Sequence, residues 1–125
     1  MSRGALHWGP RAWRQLHLAA IAYPVEPSAA EKARISHWLG QRLAGLPCVS
    51  CRRHAAAYAA ADVWDLSGTF GLQAWVWRFH NAVRVRLGAC PLPYDRYLEL
   101  YADELRAAEG NYRLPRRLTR GGRPA

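Results

Sequence analysis

The residues with the most evident chemical capacity are Cys48 and Cys51, in the stretch GLPCVSCRRHAAAY. A pair at this spacing can anchor a haem, clip a metal, close a structural bridge or cycle between dithiol and disulfide. Covalent haem attachment needs histidine directly after the second cysteine, and Arg52 stands there. A zinc site needs about four ligands. Cys48, Cys51 and His54 supply three, with His37 or Cys90 as a fourth, but neither a second C-x-x-C nor a histidine pair at zinc spacing follows. A thioredoxin-type motif wants a preceding strand, and no strand pattern runs into Pro47. Two inert core cysteines are possible for an isolated pair; a further reading is a redox dithiol at a helix N-terminus. Unpaired backbone N–H groups there favour a thiolate, and Arg52 and Arg53 add positive potential. Cys51 lies one turn on, placed to close a short disulfide with Cys48.

A redox dithiol needs an electron sink, and two helical stripes offer walls for a flat one. Trp13 and His17 are one turn apart near the N-terminus, while Trp77, His80, Asn81, Arg84 and Leu87 recur at helical spacing further on. Leucine or valine would make a plain core stripe. Rings, an amide and a guanidinium suit a heterocycle and a diphosphate instead.

The elements that must position these groups read as all-helical. Pro10 opens a helix that Pro24 stops. Ser28 and Glu31 form a capping box before a helix that lines Ile35, Trp38, Leu39 and Leu43 on one face. Pro47 opens an alanine-rich third helix, running from about Cys48 to Ala61. DVWDLSGTFG is a connector, with Gly68 and Gly71 as breakers. LQAWVWRFHNAVRVRLG is the fourth helix, ending at Gly88. YDRYLELYADELRAAEG is the fifth, with Gly110 as C-cap. Short links between amphipathic helices suggest a compact bundle.

The 125 residues suit one domain and bury a core without disulfides. The net charge of +9 is uneven, because Arg113, Arg116, Arg117, Arg120 and Arg123 crowd the last fifteen residues. Residues 1–110 are expected to form the folded domain and 111–125 a basic, disordered tail. Such a tail is usually solvated, and contact with nucleic acid is its sharper reading. No signal peptide and no membrane-length apolar run is visible, so a soluble, cytoplasmic protein is expected.

Three blocks in order, WGPRAWRQLHLAAIAYP, LPCVSCRRHAAAY and WVWRFHNAVRVRLG, resemble the Erv/ALR flavin-linked sulfhydryl oxidases over about residues 7 to 101. The resemblance implies an all-α four-helix bundle with a short fifth helix, FAD bound within the bundle, and a homodimer. It implies disulfide formation in a thiol-containing substrate or relay protein, with O2 as acceptor and hydrogen peroxide as product. By position, Cys48 would exchange with substrate and Cys51 would be the flavin-proximal cysteine. Trp8, Gly9, Trp13 and His17 would line FAD from the first helix. Trp77, His80, Asn81, Val83, Arg84, Arg86 and Leu87 would do so from the fourth, with Tyr97 or Tyr101 closing the adenine end. No resident metal is implied. The arginines near Cys48 would stabilise a thiolate and meet acidic substrates.

The chain departs from the family pattern in places. Arg84 stands where the family has asparagine, which suggests a grip on phosphate. A second C-x-x-C is missing, so a separate protein would relay electrons, as in compact viral members working in a viral factory or virion. Cys90 has no partner cysteine in reach of the pattern, and a buried thiol is its plain expectation. From another class, the alternative is a helical module with zinc on Cys48 and Cys51 and phosphates on the tail.

Overall fold

The computed structural model describes residues 3–112, with side chains described from 9 to 109; the arginine-rich tail beyond Tyr112 lies outside them. The described residues form helices and no strand: α1 (Arg3–Ala22), α2 (Ala29–Ala44), α3 (Val49–Ala61), α4 (Thr69–Arg86), α5 (Tyr94–Leu100) and α6 (Ala102–Tyr112). The closest helix pairs are α1 with α4, α1 with α6, α2 with α3 and α5 with α6. No helix among these residues is long and apolar enough to cross a membrane.

Helix α4 is the centre of the domain. Leu72, Trp75, Val76, Phe79 and Val83 recur at helical spacing and are all buried, Trp75 completely. They meet Leu16 and Ala20 of α1 and Leu39 and Leu43 of α2 in one apolar cluster. Trp75 is satisfied in this setting because its indole N–H donates to the Asp62 carbonyl at 2.6 Å. The start of α4 is fastened to the end of α1. The Thr69 hydroxyl donates to the Ala20 carbonyl at 2.7 Å, and the Thr69 N–H donates to that of Pro24 at 2.9 Å. Gly68 permits this approach, since a Cβ there would stand 2.5 Å from the Val25 carbonyl oxygen.

The capping box of α2 is present, with Ser28 Oγ accepting from the Glu31 N–H at 3.1 Å and the Glu31 carboxylate accepting from the Ser28 N–H at 2.8 Å. Four boundaries differ from the sequence expectation. Helix α1 starts at Arg3 rather than Pro10, which lies inside it; the proline forgoes one backbone bond without ending the helix. Gly71 does not break the chain but sits in the first turn of α4, because the Thr69 bonds fix where that helix begins. The fifth helix is divided at Tyr101, whose φ of −112° and ψ of 20° end α5. The bend turns α6 onto α1, where Ala108 packs with Ile21, and α6 continues past Gly110, the expected cap, to Tyr112. Gly88, at a φ of +82°, ends the turn after α4 as expected.

Candidate active site

Cys48 is the N-cap of α3. Its extended backbone lets Sγ accept the N–H of Cys51 at 3.3 Å, and Sγ lies 3.1 Å from the Ser50 hydroxyl. The sulfur that would be attacked therefore sits among donors at the positive end of a helix. The loop before it is held as well, since the Arg52 guanidinium donates back to the Leu46 carbonyl. Cys48 is half-buried, whereas Cys51 is only 8% exposed and points inward.

Cys51 borders a small cavity that it shares with Leu46, Phe79, Val83 and Leu87, and with His54 and Arg86 at its edge. Three residues predicted for the cofactor, Val83, Arg86 and Leu87, are thus brought to the inner cysteine. Burial, then the Arg86 charge, hold His54 below its ordinary range. The far end of α3 is clamped to α4. Tyr58 donates to the Asp62 carboxylate at 2.6 Å, and Arg78 reaches the same carboxylate at 3.0 and 3.2 Å.

Phe79 joins the cavity to a cluster of rings. Its ring meets Trp13 edge-on at 5.1 Å, and Trp13 stacks on His80 at 4.0 Å with planes 10° apart. His17 Nε2 and His80 Nδ1 are 3.1 Å apart, and His17 lies 5.2 and 4.9 Å from the Tyr97 and Tyr101 rings. Burial, and then the neighbouring His80, lower His17 from 6.5 to about 3. Burial, and then Arg84, lower His80 to about 4. Both imidazoles are therefore neutral at physiological pH, and one donates to the other. Tyr97 is fully buried; its hydroxyl donates to Gln73, and the Gln73 amide donates to Thr69, each at 2.8 Å.

The other predicted residues of α4 are turned to a loop. Trp77 Nε1 donates to the Leu92 carbonyl at 2.8 Å, and the Asn81 amide both donates to that carbonyl and accepts the Leu92 N–H. Arg84 Nε donates to the Cys90 carbonyl at 2.7 Å, where a phosphate had been expected. Because that loop spends its backbone on α4, the Cys90 side chain faces outward. It is exposed, and the expectation of a buried thiol is corrected. Gly9 is buried on α1, while the Trp8 side chain falls outside the described residues. Among the described residues no three of His, Cys, Asp and Glu gather to hold a metal, so Cys48, Cys51 and His54 do not converge with a fourth ligand. Phe79 and Gln73 were missed in the sequence because an apolar and an amide residue on a buried stripe carry no chemical signal. His54 was weighed only as a zinc ligand.

The residues present fit FAD, the cofactor that the resemblance implies. His17 Nδ1 is buried without a hydrogen-bond partner. An orphaned polar atom of that kind is costly, and here it lies among stacked, neutral rings that a flat heterocycle could join.

The Erv1 / Alr family model matches residues 10–101. The FAD-linked sulfhydryl oxidase of African swine fever virus is 35% identical over 100 residues, covering 80% of this chain and 84% of the viral protein. The crystal structure of the FAD-binding domain of Erv1 from Saccharomyces cerevisiae is similar at a TM-score of 0.73 and 21% identity, covering 78% of this chain and 93% of that one. The yeast Erv1 core gives 0.71 at 22% identity, covering 76% and 80%. At these identities the two structures speak to the fold alone.

Proposed function

The chain belongs to the Erv1/Alr family, and on that premise we propose that it is an FAD-dependent thiol oxidase that makes disulfides in a substrate or relay protein. The observation that carries the reading is the placement of the pair. Cys48 is open to a partner, and Cys51, one turn on, faces inward beside Phe79, Val83 and Leu87.

The working steps follow from thiol exchange. A substrate thiolate attacks Cys48 Sγ of the Cys48–Cys51 disulfide, and Cys51 leaves as the thiolate. A second substrate thiolate attacks the substrate sulfur of the mixed disulfide, and Cys48 leaves. Two substrate thiols have become one disulfide, with the electron pair now on the enzyme cysteines and two protons released. FAD, when bound, would supply the acceptor for that pair and the route to O2, with hydrogen peroxide as product. We assign the ring contacts to Trp13, His17, His80, Tyr97 and Tyr101, and the end nearest the dithiol to Cys51, Val83, Arg86 and Leu87. Trp8 and Gly9 join by position on α1. Trp77, Asn81 and Arg84 act through the loop they fasten. Neutral His17 and His80 line the site without placing a full charge there.

The same reading extends to a homodimer and to a cytoplasmic, viral setting. The viral origin of the curated relatives supports the latter, and a dedicated oxidase is one way to form disulfides where thiols are kept reduced. Light scattering of the purified protein checks the dimer. The function is tested by visible spectra before and after dithiothreitol in air, with oxygen uptake followed alongside. A flavin band that bleaches while oxygen is consumed is expected. A colourless protein that takes up no added FAD overturns the reading.

A further inference from the structure

A second concavity near Cys48 lies apart from the ring cluster. It is a groove of about 740 Å³ between α1 and the last turn of α2. Its floor is apolar, built from Leu16, Leu43 and Leu46, and Pro47, the residue next to Cys48, also lines it. Arg11 of α1 and Arg42 of α2 stand in its walls, and no carboxylate is among its described lining residues. Arg42 is held in place by its stack over Trp38, 5.0 Å from the ring centroid. Arg52 and Arg53 continue the positive charge along the start of α3.

We propose that this groove is the docking site for the thiol partner, an acidic extended segment that seats an apolar side chain on Leu16, Leu43 and Leu46 and presents its cysteine to Cys48. This rests on the oxidase reading and names the substrate class for it. Two features argue for such an occupant. Pro47, the neighbour of Cys48 in the chain, is one of the groove's lining residues, so a segment lying there ends close to the half-buried outer cysteine. The charged side chains among its described lining residues, Arg11 and Arg42, are also of one sign, which attracts acidic partners and disfavours the same arginine-walled face of a second copy. The groove contributes binding, and the exchange chemistry stays with Cys48 and Cys51.

The test uses the flavin-loaded full chain and a fluorescein-labelled peptide carrying a leucine, several glutamates and a cysteine pair, with a twin in which lysines replace the glutamates. Versions with serine in place of cysteine report binding by anisotropy; the dithiol versions report turnover. The wild type is expected to bind the acidic peptide about tenfold more tightly, with the preference shrinking as salt screens it. The double variant Arg11→Glu, Arg42→Glu should reverse the preference while dithiothreitol oxidation stays within about twofold. The milder Arg11→Gln, Arg42→Gln pair should abolish the preference, and it serves if the reversal does not fold. Equal binding of the two peptides by the wild type overturns the proposal. So does a preference that survives charge reversal, or a reversal that only breaks a dimer and marks the groove as an interface between copies. Absent dithiothreitol oxidation in the wild type would indict the oxidase reading instead, and the anisotropy would still judge the groove.

Discussion

Cys48 and Cys51 are one helical turn apart and sit in two different media. The outer sulfur caps a helix beside Ser50, close to a groove walled by arginines. The inner one is packed against Phe79, Val83 and Leu87, next to a cluster of uncharged rings. Outside, charge can choose a partner while solvent remains. Inside, apolar packing keeps the imidazoles neutral and leaves one polar atom, His17 Nδ1, waiting for a ligand. On the proposed reading, recognition and electron transfer are divided across a single turn of α3.

The comparison breaks most visibly if either cysteine can be spared. Cys48→Ala and Cys51→Ala are each expected to lower dithiothreitol turnover by about a thousandfold or more while leaving flavin bound. Absorbance of the purified variants together with oxygen uptake checks both halves of the claim. Retained turnover in the two variants would remove the exchange mechanism.

The inner region can be probed through its buried polar chain. Tyr97→Phe removes the donor to Gln73 and leaves that carbonyl oxygen buried and unsatisfied. A loss of about 1 to 3 kcal/mol in denaturant unfolding is expected. His80→Ala removes the ring stacked on Trp13 and the partner of His17. About a tenfold weaker retention of FAD should follow, read by dialysis against buffer. Unchanged flavin content would move the cofactor away from this cluster.

Acid acts on the same two histidines. Their folded values of about 3 and 4 lie below the ordinary 6.5. Above pH 6.5 both the folded and the unfolded chain hold them neutral, so they add no pH dependence. As pH falls from there towards 4 the unfolded chain takes up protons first, and stability declines. The melting temperature should therefore hold level from neutral pH down to about 6.5 and drop below it. His80→Gln should make the fall shallower.

What was legible in the sequence was what depends on neighbours along the chain. The capping box of Ser28 and Glu31, the stop at Pro24 and the position of Cys48 at the head of α3 are all local, and they stand as expected. The ring stripes were visible because aromatic and imidazole groups are conspicuous where aliphatic ones are the norm. What escaped depends on contacts between distant segments. Thr69 starts α4 because it bonds to Ala20 and Pro24, which nothing near it in sequence announces. Arg84, Asn81 and Trp77 hold the loop after α4, a role that their side-chain types share with ligand binding. The bend at Tyr101 reflects the docking of α6 on α1.

The smallest expected effect separates the two tasks of Cys48. As N-cap it accepts one of the amide hydrogens that α3 leaves unpaired; as the outer thiol it exchanges with substrate in the mechanism proposed above. Serine can do the first and not the second, and alanine can do neither. Cys48→Ser should therefore melt close to the wild type, while Cys48→Ala should lose about 1 kcal/mol. Both should be inactive. Compared under reducing conditions, so that no disulfide enters the balance, equal melting of the two variants would mean that the sulfur contributes nothing as a cap. The placement of Cys48 would then rest on Arg52 and its bond to Leu46 alone. A difference in melting without a difference in turnover would show that one atom anchors the helix it also works from.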